Sequence, residues 1–599
     1  MTGQIMDDAL FGVSHSITGR TWRLKQADDQ HVAEIVRLAG CPDALARMLA
    51  ARGITPDGAE RFLNPRLRDV FPDPSLFRDM DLAARLIWDA VQADHRIAIF
   101  ADYDVDGATS GAQLTRWLKS QGADPLLYVP DRLEEGYGPS ELAFQRLKAA
   151  GAQLVITLDC GAAALEPLKC AAAMDLPVIV VDHHMMKDER PPCLALVNPN
   201  QEGDQSGCGI LAAAGVVFVL LAALNREGRR RGGFSADHPE PDIMAWLDLA
   251  ALGTICDVVP LEGLNRAIVA QGLKVMAQSS TLGLRALCEA SGAKPPFSPY
   301  HAGFLMGPRI NAGGRIGKAD LGLTLLTTHN EAEAEAIARQ LSELNDERKA
   351  IEAEVQHEAS LQIERQAILE ETGFIMAAGE GWHPGVIGIV AGRLKDRFNR
   401  PCIIIGLDRE LGIGKGSGRS CPGVNLGAAI SAAADQGLLM AGGGHPMAGG
   451  LTIAYDQVEA FGAFMAQRLS PQWLAADEAR SLILDGVLMP GAVSYDLWTR
   501  LQGAGPYGAG HGEPRFGFSR LRKTFAKRVG ADHVRYSFEG EDGKRLNGIA
   551  WRCADAPLGE ALLNGPEGFW HAVGKIKGED GAYGRKAELQ LEDLAYCES

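Results

Sequence analysis

Apolar positions along this chain keep two rhythms, and each predicts a kind of element. Residues 97–100, 126–129, 154–158 and 178–181 are short, nearly unbroken apolar runs of the kind that fill strands buried on both faces. Up to about residue 260 they alternate with stretches of helical spacing, which predicts a parallel sheet covered by helices. Ahead of them, residues 44–49 run into Gly53 and a Thr55-Pro56 helix start, and Leu82, Leu86, Ile87 and Ala90 recur at helical spacing. Residues 1–95 are therefore expected to form a helical lead-in packed on the sheet, with the sheet domain at 96–329. Residues 330–366 hold no Gly or Pro after Asn330 and mix charge signs, which predicts a long exposed connecting helix. A second α/β domain is expected at 367–478. Residues 479–599 read as β-rich, with strands at 481–484 and 588–591.

Each of the four apolar runs stops at polar residues. Asp102, Asp104, Asp106 and Gly107 follow the first, Pro130-Asp131-Arg132 the second, Asp159-Cys160-Gly161 the third and Asp182-His183-His184 the fourth. Asp257 follows a later apolar run. Open α/β sheets keep their ligand crevice at such strand ends. Three carboxylates at alternate positions repel one another unless a cation lies among them, and a hard divalent ion suits oxygen ligands. The pattern D-x-D-x-D-G also opens an EF-hand loop. Here, however, Gln113 stands at the twelfth position and a strand precedes the loop. A lone His behind a strand reads first as a hydrogen-bonded core residue. Two adjacent ones behind an Asp favour ligation, and mixed Asp and His donors suit Mn²⁺ or Mg²⁺.

Composition narrows the class. A chain of 599 residues has room for three or four domains. No apolar run approaches the ~20 residues of a membrane span, and no basic flank with an apolar core marks a secretory leader. The 11 cysteines are scattered without a C-x-x-C pair, so neither a disulfide framework nor a cysteine zinc site is expected, and a reducing cytoplasm fits. A formal net charge of −17 weighs against nonspecific nucleic-acid binding but leaves room for a local basic groove.

Taken together, Asp102 to Gly107, Asp159, the Asp182-His183-His184 triplet and Asp257 resemble motifs I to IV of the DHH phosphoesterase superfamily. Residues 305–317, with Arg309, Asn311, Ala312, Gly314 and Arg315, resemble an R-x-N-A-x-G-R stretch of that superfamily's single-strand-specific DNA exonucleases. Gly313 stands where many members have Ala. Residues 382–393, from Trp382-His383-Pro384-Gly385 onward, resemble a second signature of the same branch. The resemblance covers about residues 40–599. It leaves out the first 40 and a basic, Gly-containing stretch near 225–240, expected to be an insertion loop.

The resemblance implies two α/β domains, DHH and DHHA1, joined by the long helix and followed by a C-terminal OB-fold, with the substrate strand held between the first two. It implies two ions, Mn²⁺ or Mg²⁺, on Asp102, Asp104, Asp106, Asp159, His183 and Asp257. Asp104 and His184 would be catalytic, His184 standing beside the metals either as a donor to phosphate or as a group that fixes neighbouring ligands. Gly412 to Ser420 is glycine-dense with Lys, Ser and Arg, which alone fits a tight hairpin as well as a phosphate loop. Gly442-Gly443-Gly444-His445 resembles the G-G-G-H motif of DHHA1 and favours the phosphate. By that resemblance Ser417, Arg419 and Arg132 would hold a 5′-terminal phosphate, His445 the phosphate near the metals, and Arg309 and Arg315 the substrate. Residues 515–528 hold six basic residues with Phe516, Phe518 and Phe525 interleaved. By composition this is as much a solvated strand face over core phenylalanines as a single-strand contact. The OB-fold resemblance favours DNA contact through Arg520, Arg522, Lys523, Lys527 and Arg528.

The expected activity is 5′-to-3′ hydrolysis of single-stranded DNA to 5′-mononucleotides, in recombination and repair, by a monomer working with a single-strand-binding protein and a helicase. Two rivals stand beside it. One is a phosphoesterase of the same superfamily acting on small substrates, whose members usually lack a third domain. The other is a DNA-binding scaffold without activity, which would be expected to have lost ligand positions that are all filled here.

Overall fold

The computed structural model describes all residues except 1–4, 7, 132–134, 137, 187–188, 366–371, 477–480, 582–583 and 598–599. The chain divides into two compact units, one of residues 64–348 with 505–512, the other of residues 1–63, 349–504 and 513–599.

The 64–348 unit is built on five parallel strands in the order Leu126–Tyr128, Ile97–Ala101, Leu154–Leu158, Val178–Val181, Ala195–Val197. The four strands expected from the apolar runs are present, and a fifth, Ala195–Val197, adds an edge. The three strands Ile97–Ala101, Leu154–Leu158 and Val178–Val181 are buried throughout, as their composition requires. One face packs on Met80–Gln92, Val105–Ser120, Ala213–Arg231 and Leu247–Cys256 through residues such as Ile99, Ile156, Leu220 and Leu252. The other packs on Glu141–Ala149 and Leu165–Ala173 through Phe100, Phe144, Leu147 and Leu168. Each such side chain, buried, contributes about 1.5–3 kcal/mol. The chain runs from Ile97–Ala101 outward to Leu126–Tyr128, then crosses back to Leu154–Leu158 on the other side. This reversal opens a crevice at the carboxyl ends of Ile97–Ala101 and Leu154–Leu158.

Two expectations need correction here. The basic stretch near 225–240 is no insertion loop: residues up to Arg231 finish the helix Ala213–Arg231. Arg226 pairs with Asp73 and Asp81, Arg230 with Glu227, and Arg231 with Asp89 and Glu227. Cations in a last helical turn also suit its dipole. The lead-in, in turn, is not wholly helical. Thr21–Leu24 is a strand paired in parallel with Ser481–Leu484, and residues 1–63 belong with the C-terminal segments, whereas Met80–Gln92 packs on the sheet.

In the other unit, five strands run in the order Ala441–His445, Ala448–Ala454, Ile413–Arg419, Cys402–Asp408, Ile375–Glu380. Pro384–Phe398 covers one face together with residues Val355, Ala359 and Ile363 of the long helix Glu331–Arg365. The C-terminal strands Phe516–Val529, His533–Glu539, Arg545–Ala550, Gly584–Cys597 and Phe569–Gly581 pair in that order, and the last returns to pair with the first. A closed five-stranded barrel of this order, with Arg545–Ala550 parallel to Gly584–Cys597, is an OB-fold. The N-terminal segment is tied to it by Asp593, which accepts hydrogen bonds from Ser16 Oγ (2.6 Å) and Trp22 Nε1 (2.9 Å).

Candidate metal centre and phosphate site

Three of the aspartates that follow strands extend the sheet ladder by one rung. Asp102, Asp159 and Asp182 donate their backbone N–H to the carbonyls of Leu158, Val181 and Val197, so three carboxylates stand side by side over the crevice. Asp104 then caps the helix Val105–Ser120, its carboxylate accepting from the N–H of Asp106 (2.9 Å) and Gly107 (3.1 Å). A Cβ on Gly107 would collide with the carbonyl oxygen of Asp102, so only glycine lets the helix start this close to the strand end. Asp106 is fully buried and caps a second helix, Ala213–Arg231, accepting from the N–H of Ala213 (2.6 Å) and Ala214 (2.8 Å). Asp257 arrives at the end of a helix, Leu247–Cys256, which Gly253 brings against Thr109, Ala214 and Asp106.

These approaches gather seven donors into three overlapping groups: Asp102, Asp104 and Asp159; Asp106, His183 and Asp257; Asp159, His183 and His184. Within each, the ligand atoms lie within 4.8 Å of one another. His183 Nε2 is 3.3 Å from Asp159, 3.6 Å from Asp257 and 3.9 Å from Asp106. Every sequence-predicted metal residue is therefore in one cluster, with His184 beside it.

Burial, then the charges of Asp257 and Asp104, push the Asp106 carboxyl well above its usual range. Burial and four neighbouring aspartates do the same to Asp159. Asp257 is pushed up to about 7 by burial and Asp104. His183 is pushed down to about 4 by burial and by His184, which favours the neutral imidazole that can ligate. Nε2 of His183 and Oδ2 of Asp257 are buried and make no hydrogen bond within the protein. A set of buried, mutually repelling oxygen donors with a neutral imidazole among them fits divalent cations of the Mn²⁺ or Mg²⁺ kind.

Asp182 has a different duty, and the sequence did not single it out as a site residue. Its Oδ1 accepts from the N–H of His183 (2.7 Å) and lies 2.8 Å from Nδ1 of His184, while Oδ2 accepts from the N–H of Ala162 (2.9 Å). Burial opposes its ionisation, but the hydrogen bond and charge of His184 prevail and hold its carboxyl down at about 2. A permanent carboxylate thus fixes the His184 ring from behind.

Arg309 and Arg315 sit on Gly307–Ile316. A Cβ on Gly314 of this helix would lie 3.1 Å from the carbonyl oxygen of Tyr103, between Asp102 and Asp104, so glycine lets the helix pass close to that strand end. Arg309 is held by Ser342 Oγ and the carbonyl of Leu305, which spends much of its donor fork inside the fold. Arg132 lies outside the described residues.

In the other unit, Ser417 and Arg419 share a face of the strand Ile413–Arg419 and hydrogen-bond each other at 3.2 Å. Register carries that face across two strands, Arg419 to Ala448 to His445 and Ser417 to Gly450 to Gly443. A Cβ on Gly443 would meet nothing within 4 Å, and one on Gly450 only a carbonyl oxygen at 3.9 Å. Neither glycine is demanded by packing or by a positive φ. They leave a bare floor between Ser417 and the exposed His445. Gly388 of the helix Pro384–Phe398 clears the other side, since its Cβ would lie 2.9 Å from Ser417 Oγ and 3.2 Å from Arg419. Lys415, two residues before Ser417, shares the face and donates to Thr452 Oγ1.

On the barrel, Phe516 and Phe518 are core, as the alternative reading of that stretch had it, and Phe525 is exposed. Arg520, Arg522 and Arg528 pair with Glu541, Glu539 and Asp555. Lys523 donates to the carbonyls of Leu562 and Gly565 at the end of the helix Pro557–Asn564. Lys527 is exposed directly opposite Arg535, two like charges facing water.

Comparison with known proteins agrees with this architecture. Residues 96–254 match the model of the DHH family N-terminal domain, residues 371–470 the DHHA1 domain and residues 484–593 the RecJ OB domain. Fold and site thus define a DHH phosphoesterase with its associated domain. Among characterised relatives, the single-stranded-DNA-specific exonuclease RecJ of Salmonella typhimurium is 35% identical over 89% of this chain and 92% of its own length. That of Bacillus subtilis is 38% identical over 73% of this chain, which spans about half (53%) of that longer protein. The crystal structure of Thermus thermophilus RecJ in complex with Mn²⁺ superposes with a TM-score of 0.78 at 29% identity, covering 96% of this chain and 80% of that one. The same protein in complex with Mg²⁺ gives 0.72 at 28%, over 96% and 79%. The chain belongs to the RecJ family.

Proposed function

We infer that this protein is a metal-dependent exonuclease that degrades single-stranded DNA from its 5′ end and releases 5′-mononucleotides. The observation that carries this is the seven-donor cluster at the sheet reversal, with Asp159 and His183 each shared between two donor groups. Asp102, Asp104, Asp106, Asp159, His183 and Asp257 would hold two Mn²⁺ or Mg²⁺ ions, which, when bound, supply an activated water and charge stabilisation for the phosphodiester.

The chain's own residues do the rest. Asp182 orients His184, which is placed to donate a hydrogen bond to a phosphate oxygen. We assign the 5′-terminal phosphate to Ser417 and Arg419 over the floor of Gly443 and Gly450, where backbone can approach oxygen closely, and give Arg132 a substrate-binding role as well. His445 contacts the phosphate next in line, and Arg315 and the remaining donors of Arg309 steady the strand. Lys527 and Arg528 of the barrel bind the backbone further along. We read the domains as DHH at 96–329, the connecting helix at 330–366, DHHA1 at 367–478 and the OB-fold at 479–599. We place the protein in the cytoplasm as a monomer, meeting a single-strand-binding protein and a helicase at its DNA. No helix of the described residues is long and apolar enough to cross a membrane.

The test uses 5′-phosphorylated single-stranded, duplex and RNA oligomers, each with Mn²⁺, Mg²⁺ or EDTA, and identifies the product. Mononucleotides released from the 5′ end of the single strand, and none in EDTA, are expected. Internal cuts, or equal attack on a blunt duplex, would overturn the reading.

A further inference from the structure

Next to Asp257 the 64–348 unit exposes more apolar surface than folding explains. Val258, the residue after this ligand, is 69% exposed and lies in the left-handed region at φ +61°. A β-branched residue there is strained, and glycine or asparagine is the usual occupant of a position just past a helix end. Its side chain thus gains nothing from burial and imposes a conformational cost.

A second observation lies on the segment packed against that helix end. His301–Met306 is a π-helical turn, a form that tends to occur at functional sites. It rests on the helix Leu247–Cys256: Cys256 Sγ is 3.6 Å from the carbonyl oxygen of Ala302, and a Cβ on Gly303 would lie 3.4 Å from Ile255. On its outer side Tyr300 and Phe304 stack on each other, with centroids 5.4 Å apart and planes 20° from parallel, yet they remain 59% and 71% exposed. The chain then continues into Gly307–Ile316, where a Cβ on Gly314 would lie 3.1 Å from the carbonyl oxygen of Tyr103. The aromatic pair therefore stands on a segment packed against the residue before Asp257 and continuous with a helix that passes close to Tyr103, between Asp102 and Asp104.

We propose that Val258 and the Tyr300–Phe304 stack form a platform for the nucleobases of the bound strand beside the scissile phosphate. Aromatic faces take any base, so such a platform adds affinity without sequence preference, as a nonspecific nuclease needs. Val258 directly follows Asp257, and the turn that carries the aromatic pair packs on Cys256 just before it, which argues that the occupant is the strand this centre would cut. This rests on the nuclease reading, and the test separates the two.

Oligothymidylates carrying one abasic residue, moved stepwise from the 5′ end, are bound to the full-length protein with Ca²⁺ in place of the catalytic cation. In the wild type at least one position should weaken binding roughly tenfold. In Tyr300→Ala and Phe304→Ala, intact and abasic strands should bind alike at that position, with the loss in Kd and in KM more than in kcat. Val258→Gly should raise Tm while weakening DNA binding. An abasic penalty unchanged in both aromatic variants, or no sensitive position in the wild type, overturns the proposal. So does a concentration-dependent dimer that Phe304→Ala dissolves, which would make the rim a contact between copies. Base-sensitive binding without cleavage in Mn²⁺ would sink the nuclease reading and leave the platform standing.

Discussion

Asp182 holds His184 at 2.8 Å, Oδ1 to Nδ1, and the same carboxylate also receives the backbone N–H of His183. One side chain thereby fixes the ring of His184 and the backbone of His183, both members of the donor cluster. Asp182→Asn keeps the size and loses the charge that fixes the His184 ring. Activity with saturating Mn²⁺ should fall about 10–100-fold, with Tm within a few degrees of wild type. Steady-state kinetics and a melting curve check both halves.

Asp106 belongs to the cluster and also starts a helix, so its loss is felt twice. Asp106→Ala should lower stability by about 1 kcal/mol through the uncapped Ala213–Arg231 helix, and should also weaken Mn²⁺ binding. Asp106→Asn restores most of the cap and none of the negative charge. Chemical denaturation beside calorimetric Mn²⁺ titration separates the two losses. Asp104 caps Val105–Ser120 in the same way, so Asp104→Asn is a cleaner test of chemistry than Asp104→Ala.

Crowded carboxylates destabilise the metal-free protein. Asp159→Asn should therefore melt at a higher temperature than wild type in EDTA, because four neighbouring charges cease to repel it. Adding Mn²⁺ should raise the wild-type Tm, by about 2.7 kcal/mol of stabilisation at a hundredfold excess over Kd, and should move the variant far less. A variant that gains as much as the wild type would remove Asp159 from the ligand set.

Arg52 clasps Asp485 through two 2.9 Å hydrogen bonds, both side chains buried. Burial raises the Asp485 carboxyl, but the hydrogen bond and charge of Arg52, with Lys25 beyond, outweigh it and leave the net shift downward. A lowered folded value means that the pair's contribution is complete above the unfolded carboxylate value of about 3.9 and fades as pH falls below it. Asp485→Ala should cost about 3–5 kcal/mol near neutrality by stranding the guanidinium. Its penalty relative to wild type should shrink below about pH 4. Melting curves across pH read the difference.

Two neighbouring lysines of the barrel should behave oppositely. Lys523→Met should lower Tm, since the ammonium closes the end of Pro557–Asn564, with little change in DNA affinity. Lys527→Ala should leave Tm in place and weaken single-strand binding, reducing the salt slope by about one phosphate contact. Fluorescence titrations at several salt concentrations make the comparison.

Much of this was legible in the sequence where signals were local. Runs such as 178–181 read as strands because burial on both faces leaves no polar position to confuse them. The ligands read as a set because each follows such a run. Asp182 shows where legibility ends: it stands at a strand end like Asp159, and only its hydrogen bonds tell an orienting carboxylate from a ligating one. Arg226 to Arg231 looked like a loop because their acidic partners, Asp73, Asp81 and Asp89, lie more than a hundred residues earlier. In Lys523 and Lys527 composition alone cannot say which cation faces a helix end and which faces water.

The pairing of Thr21–Leu24 with Ser481–Leu484 sets an order of events during synthesis. Arg23 and Ser481, which hydrogen-bond across it, are 458 positions apart. At typical elongation speeds a nascent N-terminal segment waits on the order of half a minute to a minute and a half for its mate to leave the ribosome. Until then the guanidinium of Arg52 has no native seat, and Trp22 waits longer still for Asp593, so a product cut short before residue 481 would carry an unfinished beginning as well as a missing end.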